Sequence, residues 1–231
     1  MKNITQFKKI ALSFVLVAIV GGGVVPVSTK AGTVAFDSIR LERGWNIVSS
    51  FTAYAWVASG GYDDIFSNAS NYGIEAAYMY NPFDNEYVRI YPQFEEDKYE
   101  TYARRLENTY SSGLSALLHS SIWVYSNKTQ TFNIEPVTDS DIPLSPNGVE
   151  LRSGWNFIGI NSAFLTKSLS GLRGNCTMQR AYMFNADTQS WRTIDITNYQ
   201  FNSSDLWQGA IVNVNNNCSL GSVVPSPPSL P

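Results

Sequence analysis

The chain repeats itself, and the repeat limits what it can fold into. Leu41-Glu42-Arg43-Gly44-Trp45-Asn46-Ile47-Val48 returns as Leu151-Arg152-Ser153-Gly154-Trp155-Asn156-Phe157-Ile158, 110 residues later. Ala77-Tyr78-Met79-Tyr80-Asn81 returns as Ala181-Tyr182-Met183-Phe184-Asn185, 104 residues later. A weaker echo of Leu117–Trp123 lies at Leu206–Val212, 89 residues on; it sets His119 against Gln208 and Trp123 against Val212. Three blocks in one order describe two copies of a module, and the shrinking offsets place shorter loops in the second. The copies span residues 32–135 and 149–221. Between them, residues 136–148 hold Pro136, Pro143 and Pro146 among Asp and Ser, an extended, semi-rigid linker.

Each copy reads as mainly β, with five or six strands. Phe36–Leu41 alternates loosely, Arg43-Gly44 turns, and Trp45–Phe51 reads as a buried strand. Ala76–Asn81 and Tyr87–Tyr91 flank the turn Pro82-Phe83-Asp84-Asn85, and Tyr182–Asn185 and Trp191–Ile196 repeat it around Ala186–Gln189. Ile122–Ser126 and Thr131–Ile134 flank Asn127-Lys128. One helix is predicted where Tyr99, Tyr102, Ala103 and Leu106 fall at i, i+3, i+4 and i+7 behind Glu95-Glu96-Asp97. Shorter ones are expected over 63–70 and 166–172. The expected fold class is two tandem small β-barrel or sandwich-like modules with short helical insertions, because closure or stacking limits exposed strand edges.

Gly-Trp-Asn before a buried strand, then Tyr-x-Tyr/Phe-Asn with an aromatic beyond the turn, then Ile122-Trp123-Val124 near the end, carries a resemblance. It resembles the Gly-Trp-Asn modules found in tandem in exported and cell-surface proteins of archaea and some bacteria. The likeness runs over nearly all of residues 34–221. It implies export and a surface role, and it brings no catalytic residues. The second copy departs from the pattern where Val212 stands against the late Trp123.

The N-terminus agrees with export. Lys2, Lys8 and Lys9 precede the apolar run Ile10–Val20, and Thr29-Lys30-Ala31 offers small residues for cleavage before Gly32, so residues 1–31 read as a signal peptide. Its removal takes four lysines and no acid, which moves the formal charge from −3 to −7. A competing reading keeps the segment. Ile10–Val27 is 18 residues without a charge, just long enough for an anchor, and Lys8-Lys9 before it is similar to the entry of pilin-type signals. Residues 222–231 form a Pro/Ser-rich tail, expected to be extended.

In an exported chain the two cysteines, Cys176 and Cys218, are most simply a disulfide, worth roughly 4 kcal/mol by loop-closure entropy. They fall in the smaller copy, whose core needs the staple more. Glycosylation candidates are Asn68, Asn127, Asn175, Asn202 and Asn217, each followed by x-Ser/Thr.

Composition narrows the function. Charged residues are 15%, and no basic face is available to neutralise phosphates, so nucleic acid is not an expected partner. One His and two Cys cannot build a rich metal site, and no cofactor or catalytic residue is assigned. His119 reads as a surface or turn histidine, and Glu95-Glu96-Asp97 as a helix start rather than a carboxylate pair. Aromatics, 13% of the chain, are the binding candidates. Trp45 and Trp155 are expected in the core. Tyr54, Trp56, Tyr87 and Tyr91 lack an apolar frame, and Trp123 and Tyr125 lie in a hairpin that exposes one face; these six are the candidate binding residues. The expected function is that of a non-enzymatic cell-surface protein, a binding or structural module that presents loops and aromatics to a glycan, another envelope component or a protein partner. Membrane contact is expected only through residues 10–27 if they are kept. Alternatives are a filament subunit that keeps this apolar helix, and an exported carboxylate-dependent hydrolase.

Overall fold

The computed structural model describes residues 37–50, 69, 72–110, 113–134 and 145–221. Among the described residues the fold is mainly β and sandwich-like, and no sheet closes into a barrel. Among the described residues twelve strands run in chain order: β1 (Asp37–Leu41), β2 (Gly44–Ser49), β3 (Ile74–Asn81), β4 (Glu86–Tyr91), β5 (Ser121–Ser126), β6 (Gln130–Ile134), β7 (Glu150–Leu151), β8 (Gly154–Gly159), β9 (Met178–Asn185), β10 (Ser190–Thr193), β11 (Gly209–Val214) and β12 (Cys218–Ser219). The first copy makes a four-stranded antiparallel sheet in the order β2-β5-β3-β4 and a ribbon β1-β6. The second makes β8-β11-β9-β10 and β7-β12, the same topology strand for strand.

The Gly-Trp-Asn motif builds the corner between ribbon and sheet. Gly44 and Gly154 have φ of +107° and +99°, which a side chain would strain. Asn46 Oδ1 accepts from Glu42 N at 2.8 Å, and its Nδ2 donates to Glu42 O and Gly44 O at 2.8 and 3.1 Å. Asn156 repeats this on Arg152 and Gly154. Both amides are buried, so each finds its partners in the turn it follows rather than in water.

Strand pairing corrects the register of the late repeat. Ser49 faces Ser121 across β2 and β5, and Gly159 faces Gly209 across β8 and β11. The true offset of the third block is therefore 88: His119 corresponds to Trp207, and Trp123 to Ile211.

The predicted helix is α1 (Glu96–Thr109), with Tyr102 and Leu106 buried against the first sheet. Glu96 and Asp97 lie in its first turn, and Arg105 Nη1 ties it to Asp84 Oδ1 at 2.6 Å. α2 (Gly113–Leu118) follows, and the second copy holds α3 (Leu169–Leu172), inside the expected 166–172. Residues 1–31, all but one residue of the helix expected over 63–70, most of the linker and the tail fall outside the described residues.

The two copies do not sit like beads. Sheet faces bearing Trp45, Ile47, Ser49, Ser121 and Trp123 stack on faces bearing Phe157, Gly159, Phe184 and Gly209. Two backbone bonds cross the seam as a matched pair: Ser49 N donates to Trp207 O at 2.8 Å, and Gly159 N to His119 O at 2.7 Å. Isolated antiparallel bridges Val48–Gln208 and Ser120–Ile158 continue the match. With offsets of 110 and 88, each member of a pair maps onto the other, so an internal two-fold relates the copies. Across that seam Trp207 enters the core of the first copy, beside Leu118, Ile122 and Val48. Its counterpart His119 is 2% exposed and lies at a pocket lined by Val149, Leu151 and Ile158 of the second copy. His119 is thus a turn residue but no surface one; the seam buries it.

Candidate functional site

The stacked faces carry the aromatics. Trp45, expected in the core, is half-buried, because β2 turns odd-numbered residues away from the apolar core and toward the other sheet. Its ring contacts Tyr125 at 5.1 Å, Trp123 at 5.7 Å and Tyr78 at 6.1 Å. Trp123 then meets Phe184 at 5.0 Å and Trp191 at 5.7 Å in the second copy. Trp191 continues to Tyr182 at 6.5 Å, and Tyr182 to Trp155 at 5.9 Å. Eight rings from both copies thus form one strip. Most contacts are edge-on or tilted, the geometry that ring quadrupoles favour.

The Gln189 side chain locks the strip across the seam. Its Oε1 accepts from Trp45 N at 2.9 Å, and its Nε2 donates to Trp45 O at 3.0 Å. Trp155, also expected in the core, is half-buried at the far end. Trp191 is 45% exposed and presents the strip to solvent.

A smaller cluster lies at the position related by the two-fold. Tyr80 contacts Phe157 at 4.9 Å and Tyr87 at 5.4 Å, and Tyr87 is 46% exposed. Tyr87 is the repeat mate of Trp191, and Tyr80 of Phe184. Equal exposure at equivalent positions shows that the module itself, in both copies, holds an aromatic open at this point of β4 and β10.

Of the sequence candidates, Trp123 and Tyr125 join the strip and Tyr87 the smaller cluster. Tyr91 packs instead on the core of the first copy. Tyr54 and Trp56 fall outside the described residues. Sequence reasoning missed Trp191, Phe184 and Tyr182; mapping Tyr87 forward by 104 would have found the first.

Three ionisable groups are engaged in the fold. Asp205 is buried and accepts from Arg192 Nη2 at 2.6 Å, from Tyr199 Oη at 2.8 and 2.7 Å, and from Asn202 N at 2.9 Å. Glu95 Oε2 accepts from Arg89 N at 2.8 Å, and this bond holds its carboxyl below the usual range. Burial pushes the Tyr110 hydroxyl up to about 12, so this group stays protonated at any working pH. Among the described residues no group of three His, Cys, Asp or Glu is placed to hold a metal.

Cys176 and Cys218 form the disulfide, which ties the chain before β9 to β12. Such a bond belongs to an oxidising environment. No described helix is long and apolar enough to cross a membrane. Asn127, Asn175, Asn202 and Asn217 are exposed. Asn202 caps a turn through Ser204 N, Asn175 accepts from Ser219 N, and Asn217 from Ser153 N. Asn68 falls outside the described residues. Comparisons with family models, curated proteins and solved structures find no match to the chain.

Proposed function

We propose that the chain is an exported, non-enzymatic surface protein, cleaved before Gly32, whose two copies jointly bind a neutral glycan along the aromatic strip. The observation that carries this reading is the ring-to-ring continuity from Trp45 to Trp155 across both copies, open to solvent midway at Trp191. The apolar face of a sugar ring stacks on an indole, while polar groups at the edge fix its orientation. A formal charge of −3, or −7 after cleavage, disfavours a polyanion. The disulfide, the leader and the resemblance to tandem surface modules support the location.

The test is intrinsic tryptophan fluorescence titrated with hexamers of glucose, xylose, mannose and N-acetylglucosamine. At least one hexamer is expected to bind. Trp191→Ala is expected to weaken it tenfold or more, about 1.4 kcal/mol, with an unchanged melting temperature. Equal affinity in Trp191→Ala, or no binding by the native chain, would contradict the reading.

A further inference from the structure

The internal two-fold builds the same cleft twice, where the β3–β4 or β9–β10 hairpin of one copy leans over the ribbon corner of the other. Tyr80, Glu150 and Asn156 line the first; Phe184, Arg40 and Asn46, their repeat mates, line the second. His119 and Ile158 in the first likewise answer Trp207 and Val48 in the second.

The two clefts differ in what enters them. Helix α1 sends Tyr102 and Leu106 into the first, Tyr110 joins them from just beyond its end, and about 30 Å³ is left, room for a water molecule or two. In the second copy the chain after β10 turns back on itself. Phe201 enters its own core and Tyr199 bonds Asp205. The second cleft therefore keeps about 160 Å³. That suits a single ring with its hydroxyls; pockets for drug-sized ligands start at about 300 Å³.

We propose that this second cleft is a subsite for one neutral pyranose unit of the glycan that lies on the strip, an inference that rests on the function proposed above. Three features favour that occupant. The cleft is continuous with the strip, because Phe184 lines it and also touches Trp123 at 5.0 Å and Trp191 at 5.3 Å. Its two-fold mate already accepts hydroxyl-bearing rings, those of Tyr102 and Tyr110.

The rim also offers both donors and acceptors, as sugar hydroxyls require. Arg40 bonds Glu42 through Nε alone, Gln208 uses only its Nε2, on Ser204 O, and the Ser203 hydroxyl makes no hydrogen bond among the described residues. Arg40 Nη groups and Gln208 Oε1 thus remain for a ligand. Glu42 and Asp187, both acting on Arg40, oppose an acidic sugar.

The test is Ser204→Phe, which fills the cleft from an exposed position, with Arg40→Ala as a second, milder variant. Methyl glucopyranoside, methyl xylopyranoside, methyl mannopyranoside and N-acetylglucosamine are added to the ¹⁵N-labelled full chain. One of them is expected to shift the amides of Ser203, Ser204 and Gln208, and Ser204→Phe is expected to abolish the shifts. For the hexamer bound best by the native chain, Ser204→Phe is expected to lower affinity about tenfold and Arg40→Ala about threefold. Native affinity in both variants, with binding lost in Trp191→Ala, would overturn the subsite and leave the strip standing. No hexamer bound by the native chain would overturn both.

Discussion

Trp207→Ala is expected to destabilise the whole chain by about 3–5 kcal/mol, the range for removing a buried large aromatic. Trp207 is 3% exposed, and it belongs by sequence to the second copy while packing in the core of the first. Its φ of +65° is a conformation that a bulky residue adopts only when its surroundings impose it. Here they do: Trp207 N donates to Ile160 O and Trp207 O accepts from Ser49 N, each at 2.8 Å. Truncation empties one core and loosens the strap between copies. Against a total stability of about 5–15 kcal/mol, the loss lowers the melting temperature by roughly 6–20 °C. Calorimetry of the variant checks it, and a loss under about 1 kcal/mol would mean that the indole is no core residue.

Gly159→Ala and Gly209→Ala are each expected to cost about 1–3 kcal/mol or more, although alanine is the better strand former of the two residues. Where the sheets cross, the Ser49–Ser121 pair of one faces the Gly159–Gly209 pair of the other. A Cβ on Gly159 would sit 2.2 Å from Ser49 Oγ and 2.7 Å from the backbone oxygen of Ser120. On Gly209 it would sit 2.2 Å from Ile47 Cγ2 and 2.6 Å from Ser121 Cβ. The Ser120 backbone and the Ser121 Cβ cannot step aside as the far end of a flexible side chain can, so the sheets must separate. Gly171→Ala is the control. A Cβ there meets only Ser168 Oγ, at 3.7 Å, and the change is expected to stay within about 0.5 kcal/mol. Urea unfolding of the three variants measures the contrast; equal effects would remove the close approach of the sheets from the account.

Much of each copy was legible because its signals are local. Gly44 and Gly154 must take positive φ, and Asn46 and Asn156 must bond the turn they follow, so the motif marks a corner wherever it occurs. The spacing of Tyr99, Tyr102, Ala103 and Leu106 behind an acidic start marks helix α1. The late block slipped by one residue because Leu117–Ser121 holds no such anchor. Its register is set by pairing with β2, which is remote in sequence. The seam was illegible for the same reason. Nothing around His119 or Trp207 says that each crosses to the other copy, and Trp45 reads as core until a second sheet is seen to face it. The candidate site suffered most. Alternation tells which residues share a face, but only stacking of the two sheets leaves Trp191 open and half-covers Trp123.

The two copies fold as one body, so that the strip and the open cleft belong to neither alone. Scanning calorimetry of the disulfide-intact chain tests this most directly, by comparing the measured enthalpy of unfolding with the van't Hoff enthalpy. The expected result is one transition with the two enthalpies equal. Two resolved transitions, or a measured enthalpy near twice the van't Hoff value, would show that the copies unfold independently and would contradict the account.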